Sequence, residues 1–186
     1  MIVALAGRRA DTPGASPRRF PLRNVHGVRE RLVGLLKARR ATTLVSSAAC
    51  GADLVAQDAA RSLGIRRIVV LPYAPAIFRE RSVIDRPGDW GRAYDTLIVE
   101  VQSGLVELVQ LHETQSPDES HRAFAATNTA IIERAEQLAR EAGEREPILA
   151  VVVWDGVSRG PDDLTDEFRR QAVARAMPVV EVSTVD

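Results

Sequence analysis

Continuous apolar segments alternate with amphipathic segments along most of this chain. IVALAG (2–7) and PILAVVVWDG (147–156) are apolar throughout their centres, without the polar alternation of a half-exposed strand. This is the pattern of strands that are covered on both faces of a parallel sheet. Strands are predicted at 2–7, 42–47, 66–73, 147–156 and 178–184, whereas 105–111 is either a strand or the end of a helix.

Between these segments, hydrophobic residues recur at every third or fourth position, which is the spacing of a helix with one buried face. The segment 51–64, for example, places Leu54, Val55, Ala59 and Leu63 on one side. Helices are predicted at 24–40, 51–64, near 89–101, 118–143 and 161–177, with short helical turns between 74 and 88. The alternation predicts the α/β class, with three layers in which a mostly parallel sheet is covered by helices on both faces. Residues 1–186 are predicted to form one domain.

Composition narrows the class of protein. Hydrophobic residues make up 45% of the chain, which excludes a disordered protein. No apolar run approaches the roughly 20 residues of a membrane span, and the short first run lacks the basic flank of a signal peptide. Because Cys50 is the only cysteine, an internal disulfide framework is excluded and a reducing, cytoplasmic location is expected. Cys50 itself is interpreted as a small packing residue.

Charge and histidine content argue against two further classes of site. The formal net charge is zero, so the broad electrostatic attraction of a nucleic-acid-binding protein is not indicated. The three histidines show no metal-ligand spacing, and neither a metal nor a cofactor is predicted. The expected partner is therefore a small molecule.

The carboxyl ends of the strands are where a ligand is expected, because open parallel sheets bind ligands at that edge, where the strand order reverses. Four loops lie there, at 7–23, 46–51, 72–89 and 154–163. The loop SSAACG (46–51) has almost no side-chain bulk just before a helix. Small residues would let a phosphate reach the backbone N–H groups at 48–53, and the helix dipole favours an anion. The alternative is tight packing of strand against helix.

The other loops add polar candidates, each with a structural alternative. Arg8 and Arg9 follow the first strand and are predicted to clamp a phosphate, whereas Arg18, Arg19 and Arg23 are interpreted as a solvated basic loop. Arg79, Ser82, Asp85 and Arg86 are candidates for holding a base or sugar. Alternatively, Arg79 and Asp85 form an ion pair that orders their segment.

The last strand end and the long helix supply the remaining candidates. Asp155 follows an apolar strand, where an acidic residue can hold ribose hydroxyls. Asp162 is interpreted as a helix cap. Asn128 lies among apolar neighbours in AATNTAII, so it needs a polar partner, in the crevice or on the backbone.

These motifs, in this order, resemble a known family. LVSSAACGADLVAQDAARSLGIRRIVVLPY (44–73), followed by FRERSV and by VVVWDG…DDLTDEF, resembles the SMF/LOG-like Rossmann superfamily (SLOG). That superfamily includes the lonely-guy phosphoribohydrolases, DNA-processing protein A and many bacterial nucleotide-sensor domains, and the resemblance is to the sensor-type branch. The catalytic Pro-Gly-Gly-x-Gly-Thr-x-x-Glu motif of the hydrolases is replaced here by DGVSRGPDDLTDE, in which Glu167 is the nearest counterpart of the glutamate.

The resemblance implies a nucleotide pocket at the strand ends and a sensor or regulatory role. Alternatives are hydrolysis of the N-glycosidic bond of a nucleoside monophosphate, with Glu167 or Asp155 as the carboxylate, and a structural module in an oligomer. A homodimer, for which the 118–143 helix is a candidate surface, and an effector protein are further expected partners. The predicted ligand-binding residues are Gly7, Arg8, Arg9, Ser46, Ser47, Ala48, Gly51, Ala52, Asp53, Pro72, Arg79, Ser82, Asn128, Asp155 and Gly156.

Overall fold

A computed structural model describes residues 1–112, 120–142 and 146–185. Six parallel strands form one sheet in the order β4-β3-β2-β1-β5-β6. The predicted α/β class and Rossmann-like three-layer arrangement are therefore confirmed. The strands are β1 (Ile2–Gly7), β2 (Thr43–Ser46), β3 (Arg66–Leu71), β4 (Glu107–Gln110), β5 (Ile148–Trp154) and β6 (Val179–Ser183).

The helices match the amphipathic segments of the sequence. They are α1 (Val25–Ala38), α2 (Ala52–Ser62), α3 (Pro75–Ser82), α4 (Trp90–Gln102), α5 (Ser120–Glu141) and α6 (Leu164–Ala174). The ambiguous segment 105–111 is a strand, separated from α4 by the left-handed turn at Gly104. The predicted ends of the long helix, at 118 and 143, lie outside the described residues.

Two hydrophobic cores cover the two faces of the sheet. One unites alternate β1 residues, such as Val3 and Leu5, with the buried faces of α1, α2 and α4. The other unites Ile2 and Ala4 with α5 and α6. Strands buried on both faces explain why the apolar runs in the sequence are continuous and do not alternate. In the part of the chain that the structure describes, no helix is both long enough and apolar enough to cross a bilayer.

The strand order reverses beside β1. From β1 the chain winds through β2 and β3 to β4 on one side, and then returns to add β5 and β6 on the other. The carboxyl ends of β1 and β5 therefore diverge into loops that leave in opposite directions and open a crevice between them.

The long segment after β1 is tied across this crevice. The Asp11 carboxylate accepts hydrogen bonds from the backbone N–H groups of Arg19 and Phe20, and the Phe20 ring is completely buried. Asn24 precedes α1 but makes no side-chain cap; its amide donates to the carbonyl of Thr184 instead, at 3.0 Å. Residues 8–20 therefore form a fixed strap over the strand ends.

Candidate functional site

A cavity of about 530 Å³ lies at the carboxyl ends of β1, β2 and β5, within the size range of small-molecule sites. The strap after β1, the loops after β2, β3 and β5, and one side of α5 form its walls. Of the predicted ligand-binding residues, seven line it: Gly7, Arg8, Arg9, Ser47, Asp53, Ser82 and Asn128.

The start of α2, which the sequence predicts as the phosphate cradle, is largely occupied by the chain itself. Residues 8–10 run antiparallel to residues 50–52, with the Ala10 N–H donating to the Cys50 carbonyl and the Ala52 N–H donating to the Arg8 carbonyl. The Cys50 N–H donates to the carbonyl of Ser82. Three of the N–H groups at 48–53, including that of Ala49, therefore already have protein acceptors, and the prediction that this backbone holds a phosphate stays a prediction for the others.

Gly51 shows why the segment lacks side-chain bulk. Its φ is +103°, and a Cβ atom there would lie 2.6 Å from both the Ala10 nitrogen and the Arg8 oxygen. Gly7 is crowded in the same way, since its Cβ would lie 2.5 Å from the Ala52 Cβ. The small residues of SSAACG (46–51) therefore leave room for the strap. The group that approaches this backbone is another part of the same chain.

Gly51→Ala is expected to destabilise the protein by about 2 kcal/mol or more, because it combines a strained backbone conformation with a clash against the strap. Gly64→Ala is the matched control, since Gly64 also has a positive φ, +66°, but no atom would lie within 4 Å of its Cβ. Urea unfolding followed by circular dichroism compares the two variants. Equal losses for both would show that contact with the strap does not constrain residue 51.

Arg8 is the centre of a buried ion cluster. Its Nε donates to Asp155 at 2.9 Å, one terminal nitrogen to Asp163 at 2.6 Å and the other to the Val157 carbonyl at 2.6 Å. The Arg8 side chain is only 3% exposed, and its guanidinium lies 5.6 Å from the centre of the Trp154 ring. Arg8 therefore ties the β5 loop to β1 and does not present a free guanidinium to a ligand.

The two aspartates of this cluster also have hydrogen-bond donors from the protein. Asp155 also accepts a hydrogen bond from Arg19 at 2.5 Å, so both of its oxygens have arginine partners. Asp163 accepts from the backbone N–H groups of Thr165 and Arg159. Although burial opposes it, the hydrogen bonds from Arg8 and Arg159 hold the pKa of Asp163 well below its usual range. The cap of α6 is thus Asp163 and not the predicted Asp162.

Three guanidinium groups on the cavity wall retain unused donors. The Nε of Arg9 is buried and has no partner among the described residues, although its terminal nitrogen binds Asp85. Arg86 makes only long contacts, at 3.4 Å to the Ala10 carbonyl and 3.6 Å to Asp85. Arg159 is about half exposed, with its Nε 3.6 Å from Asp163. These arginines can bind an anion without breaking a close ion pair.

Asp53 is the buried carboxyl group of the cavity. One oxygen accepts the Ala49 N–H at 3.3 Å, while the other is buried with no hydrogen-bond partner among the described residues. Burial raises the pKa of Asp53 to about 7, although the Ala49 hydrogen bond and the charge of Arg9 oppose the increase. Asp53 is therefore partly protonated at neutral pH and has an open hydrogen-bonding position.

The remaining wall is apolar with a few neutral polar groups. Phe78, Phe124, Ile131 and Leu164 contribute its hydrophobic surface. Phe78 is almost completely buried and packs against Tyr73, with ring centroids 5.9 Å apart. The neutral polar residues on the wall are Thr12, Ser16, Ser47, Ser82, Thr127, Asn128 and Thr165. Asn128 donates its amide to the Leu164 carbonyl at 2.8 Å, which secures α5 against the start of α6.

Several predicted site residues have structural partners outside the cavity wall. Arg79 pairs with Asp95 on α4 and not with Asp85, which pairs with Arg9. The Ser46 hydroxyl is buried between Gln57 and the Ser47 carbonyl. The other predicted residues that do not line the cavity are Ala48, Gly51, Ala52, Pro72, Asp155 and Gly156.

Arg19, Phe124 and Arg159 line the cavity but were not singled out for it by the sequence. Arg19 is indistinguishable in sequence from Arg18 and Arg23, and only its contact with Asp155 separates it from them. Phe124 and Arg159 reach the cavity through the packing of α5 and of the β5 loop, which no local pattern encodes. The described residues contain no group of three His, Cys, Asp or Glu side chains placed to hold a metal ion. Cys50 is fully buried, and burial raises the pKa of its thiol.

The chain is similar to solved structures but not to protein-family models or curated proteins. Among solved structures, it is similar to DNA processing protein A (DprA) from Streptococcus pneumoniae, with 18% sequence identity and a TM-score of 0.45. The match covers 97% of this chain but only 58% of the other, so this chain spans a little over half the length of that protein.

Proposed function

We propose that this protein binds a nucleotide or nucleotide-derived ligand in the cavity at its strand ends, as a sensor or regulatory module of the SLOG type. The observation that carries the proposal is the composition of the cavity lining. Arginines with unused donors stand beside an apolar surface that includes Phe78 and Phe124. A phosphate requires the first kind of group and a nucleobase or sugar the second.

The position of the cavity supports the same proposal. It lies where the strand order reverses, beside the carboxyl ends of β1 and β5. Open α/β sheets bind their ligands at such points, because the loops diverge there and leave room between them. The strap after β1 covers part of the opening, which would shield a bound ligand from solvent.

The contacts of the carboxylates favour binding over hydrolysis. A hydrolase needs a carboxylate within hydrogen-bond reach of the sugar. Asp155 is held by two arginines, and Glu167 accepts a hydrogen bond from Gln171 on its own helix. Neither of them lines the cavity. We therefore propose binding without hydrolysis by Asp155 or Glu167, and chromatographic analysis for free base tests whether Asp53, the buried carboxyl on the cavity wall, supports hydrolysis instead. A separate effector or a second copy of the chain would act on the bound state.

A thermal-shift screen with nucleotides, cyclic dinucleotides and NAD-derived compounds tests this proposal. A ligand at 100 times its dissociation constant adds about 2.7 kcal/mol of stability, which raises the melting temperature of a chain of this size by about 5–10 °C. Each hit is incubated with the protein and analysed by chromatography. Release of free base would establish the hydrolase, and the absence of any shift at millimolar concentrations would overturn nucleotide binding.

Arg86→Gln places a hit in the cavity. Because Arg86 makes only long contacts with the protein, its loss should leave the fold intact but weaken ligand binding about tenfold, since a charged hydrogen-bond donor is removed from the cavity wall. Arg92→Gln is the matched control, since Arg92 is highly exposed on α4 and pairs with Asp89. Isothermal titration calorimetry on both variants gives the comparison, and equal affinities would place the ligand elsewhere.

A further inference from the structure

Three polar atoms on the α2 side of the cavity are buried and have no hydrogen-bond partner among the described residues. They are the Asp53 carboxylate oxygen Oδ1, the Arg9 Nε and the Ser82 hydroxyl oxygen, which lies close to the equally unpartnered Tyr73 hydroxyl. Asp53 is 7% exposed and Ser82 is 1% exposed, so solvent reaches neither side chain freely. Buried polar groups are almost always paired, and unpaired ones in a cavity wall indicate a position for a ligand.

The chemistry of these atoms is mixed. The Arg9 Nε is a donor only, the Ser82 hydroxyl both donates and accepts, and the ionised Asp53 oxygen only accepts. A phosphate offers acceptors alone, so it would pair with Arg9 but be repelled by the ionised Asp53 carboxylate. A sugar hydroxyl or the edge of a nucleobase carries donors and acceptors side by side and would satisfy all three atoms.

The opposite side of the cavity, at the β5 loop, carries exposed positive charge. There the Arg159 guanidinium is about half exposed, and Arg19 adds a second guanidinium above the β5 loop. The aspartates beneath them, Asp155 and Asp163, are already paired with Arg8. A negatively charged group of the ligand on this side would face the guanidinium groups of Arg159 and Arg19, whose unused N–H donors lie close to solvent.

We infer that the ligand binds with an uncharged donor-bearing group, a nucleoside end, on Asp53 and Ser82, and with its phosphate towards Arg159 at the β5 loop. This inference rests on the proposed function and adds an orientation to it. It reverses the expectation from the sequence, in which the phosphate lies at the start of α2. Asp53 thereby becomes a residue that determines specificity.

Asp53→Asn is a sharp probe of this orientation. The Ala49 N–H requires an acceptor, so the asparagine oxygen takes that position and its NH₂ replaces the open carboxylate oxygen. A ligand donor then meets another donor, and a buried pair of this kind lowers affinity about tenfold or more. A phosphate in the same position would instead bind more tightly, because a negative charge has been removed.

The test asks at pH 8 whether each variant weakens only one of two probes. Adenosine represents the uncharged end of the ligand and inorganic pyrophosphate the charged end. The full chain, Asp53→Asn and Arg159→Gln are titrated by calorimetry, with Arg92→Gln as the control. Asp53→Asn is expected to weaken adenosine at least tenfold and pyrophosphate less than twofold. Arg159→Gln is expected to do the reverse. Circular dichroism confirms that each variant is folded.

Failures of the orientation and of the proposed function give different results. If the nucleotides of the screen bind but Asp53→Asn strengthens pyrophosphate, or if each variant affects both probes alike or neither, the orientation is overturned and nucleotide binding stands. A result in which neither nucleotides nor the two probes bind at millimolar concentration overturns both. If adenosine does not bind but guanosine or cytidine does, with the same loss in Asp53→Asn, the orientation is supported and the base preference is identified.

Discussion

Arg8→Met is expected to destabilise the protein by about 3–5 kcal/mol, the usual cost of removing one partner from a buried ion cluster. Arg8 is the common partner of Asp155 and Asp163, whose side chains are 8% and 0% exposed. Without Arg8, Asp163 would be left buried with only backbone N–H groups and a distant Arg159. Because a domain has only about 5–15 kcal/mol of net stability, this loss approaches unfolding.

Chemical denaturation monitored by circular dichroism measures the effect. Arg92→Met is the control, because that arginine is highly exposed and its ion pair with Asp89 should contribute less than about 1 kcal/mol. The triple variant Arg8→Met, Asp155→Asn, Asp163→Asn should recover part of the loss, since it removes the unpaired charges and asparagine also caps helices. A loss below about 1 kcal/mol for Arg8→Met, equal to that of the control, would contradict the central role of this cluster.

Asp53→Asn is expected to stabilise the protein at alkaline pH. The pKa of Asp53 is raised from 3.8 in the unfolded chain to about 7, so folding favours the protonated carboxyl. Stability is therefore lost as pH rises from about 4 to about 7 and is constant above that. Between pH 5 and pH 8 this amounts to about 2–3 kcal/mol for the wild-type chain, and the asparagine variant lacks it.

The measurement is the free energy of unfolding of both proteins at pH 5 and pH 8. The difference in stability between variant and wild type should increase by about 2–3 kcal/mol from the lower to the higher pH, whatever the amide itself contributes at both. Asp58→Asn, which changes an exposed carboxyl on the same helix, should alter stability by less than about 1 kcal/mol. A difference that does not change with pH would show that Asp53 is ionised in the folded protein.

These two residues have contrasting effects on stability. Arg8 stabilises the scaffold around the cavity, because each of its three guanidinium nitrogens donates a hydrogen bond to the protein. Asp53 has a carboxylate oxygen without a hydrogen-bond partner among the described residues, and its pKa is raised. Such a group reduces the stability of the protein without a ligand. A bound ligand that donates to Asp53 would remove that loss, and this links the stability prediction to the proposed orientation.

Hydrophobic periodicity predicts the fold class of this protein and all of its long elements, whereas the segment 105–111 is assigned as a strand only by the structure. Short continuous apolar runs that alternate with amphipathic segments are typical of a sheet covered on both faces, and such a sheet predicts a crevice at the carboxyl ends of its strands, where the structure has a cavity. The small residues of SSAACG correctly marked a close approach of some group to the backbone. The predicted strands and helices were accurate because their signal lies in neighbouring residues.

The tertiary structure alone decided which group makes that approach and how the charges pair. Gly51 faces residues 8–10, Arg8 pairs with aspartates about 150 residues away, and Arg79 pairs with Asp95 and not with Asp85. An arginine has the same appearance in a sequence whether it binds a ligand, an aspartate or water. Its role depends on which side chains the folded sheet brings within about 3 Å, and that distance is set by long-range packing.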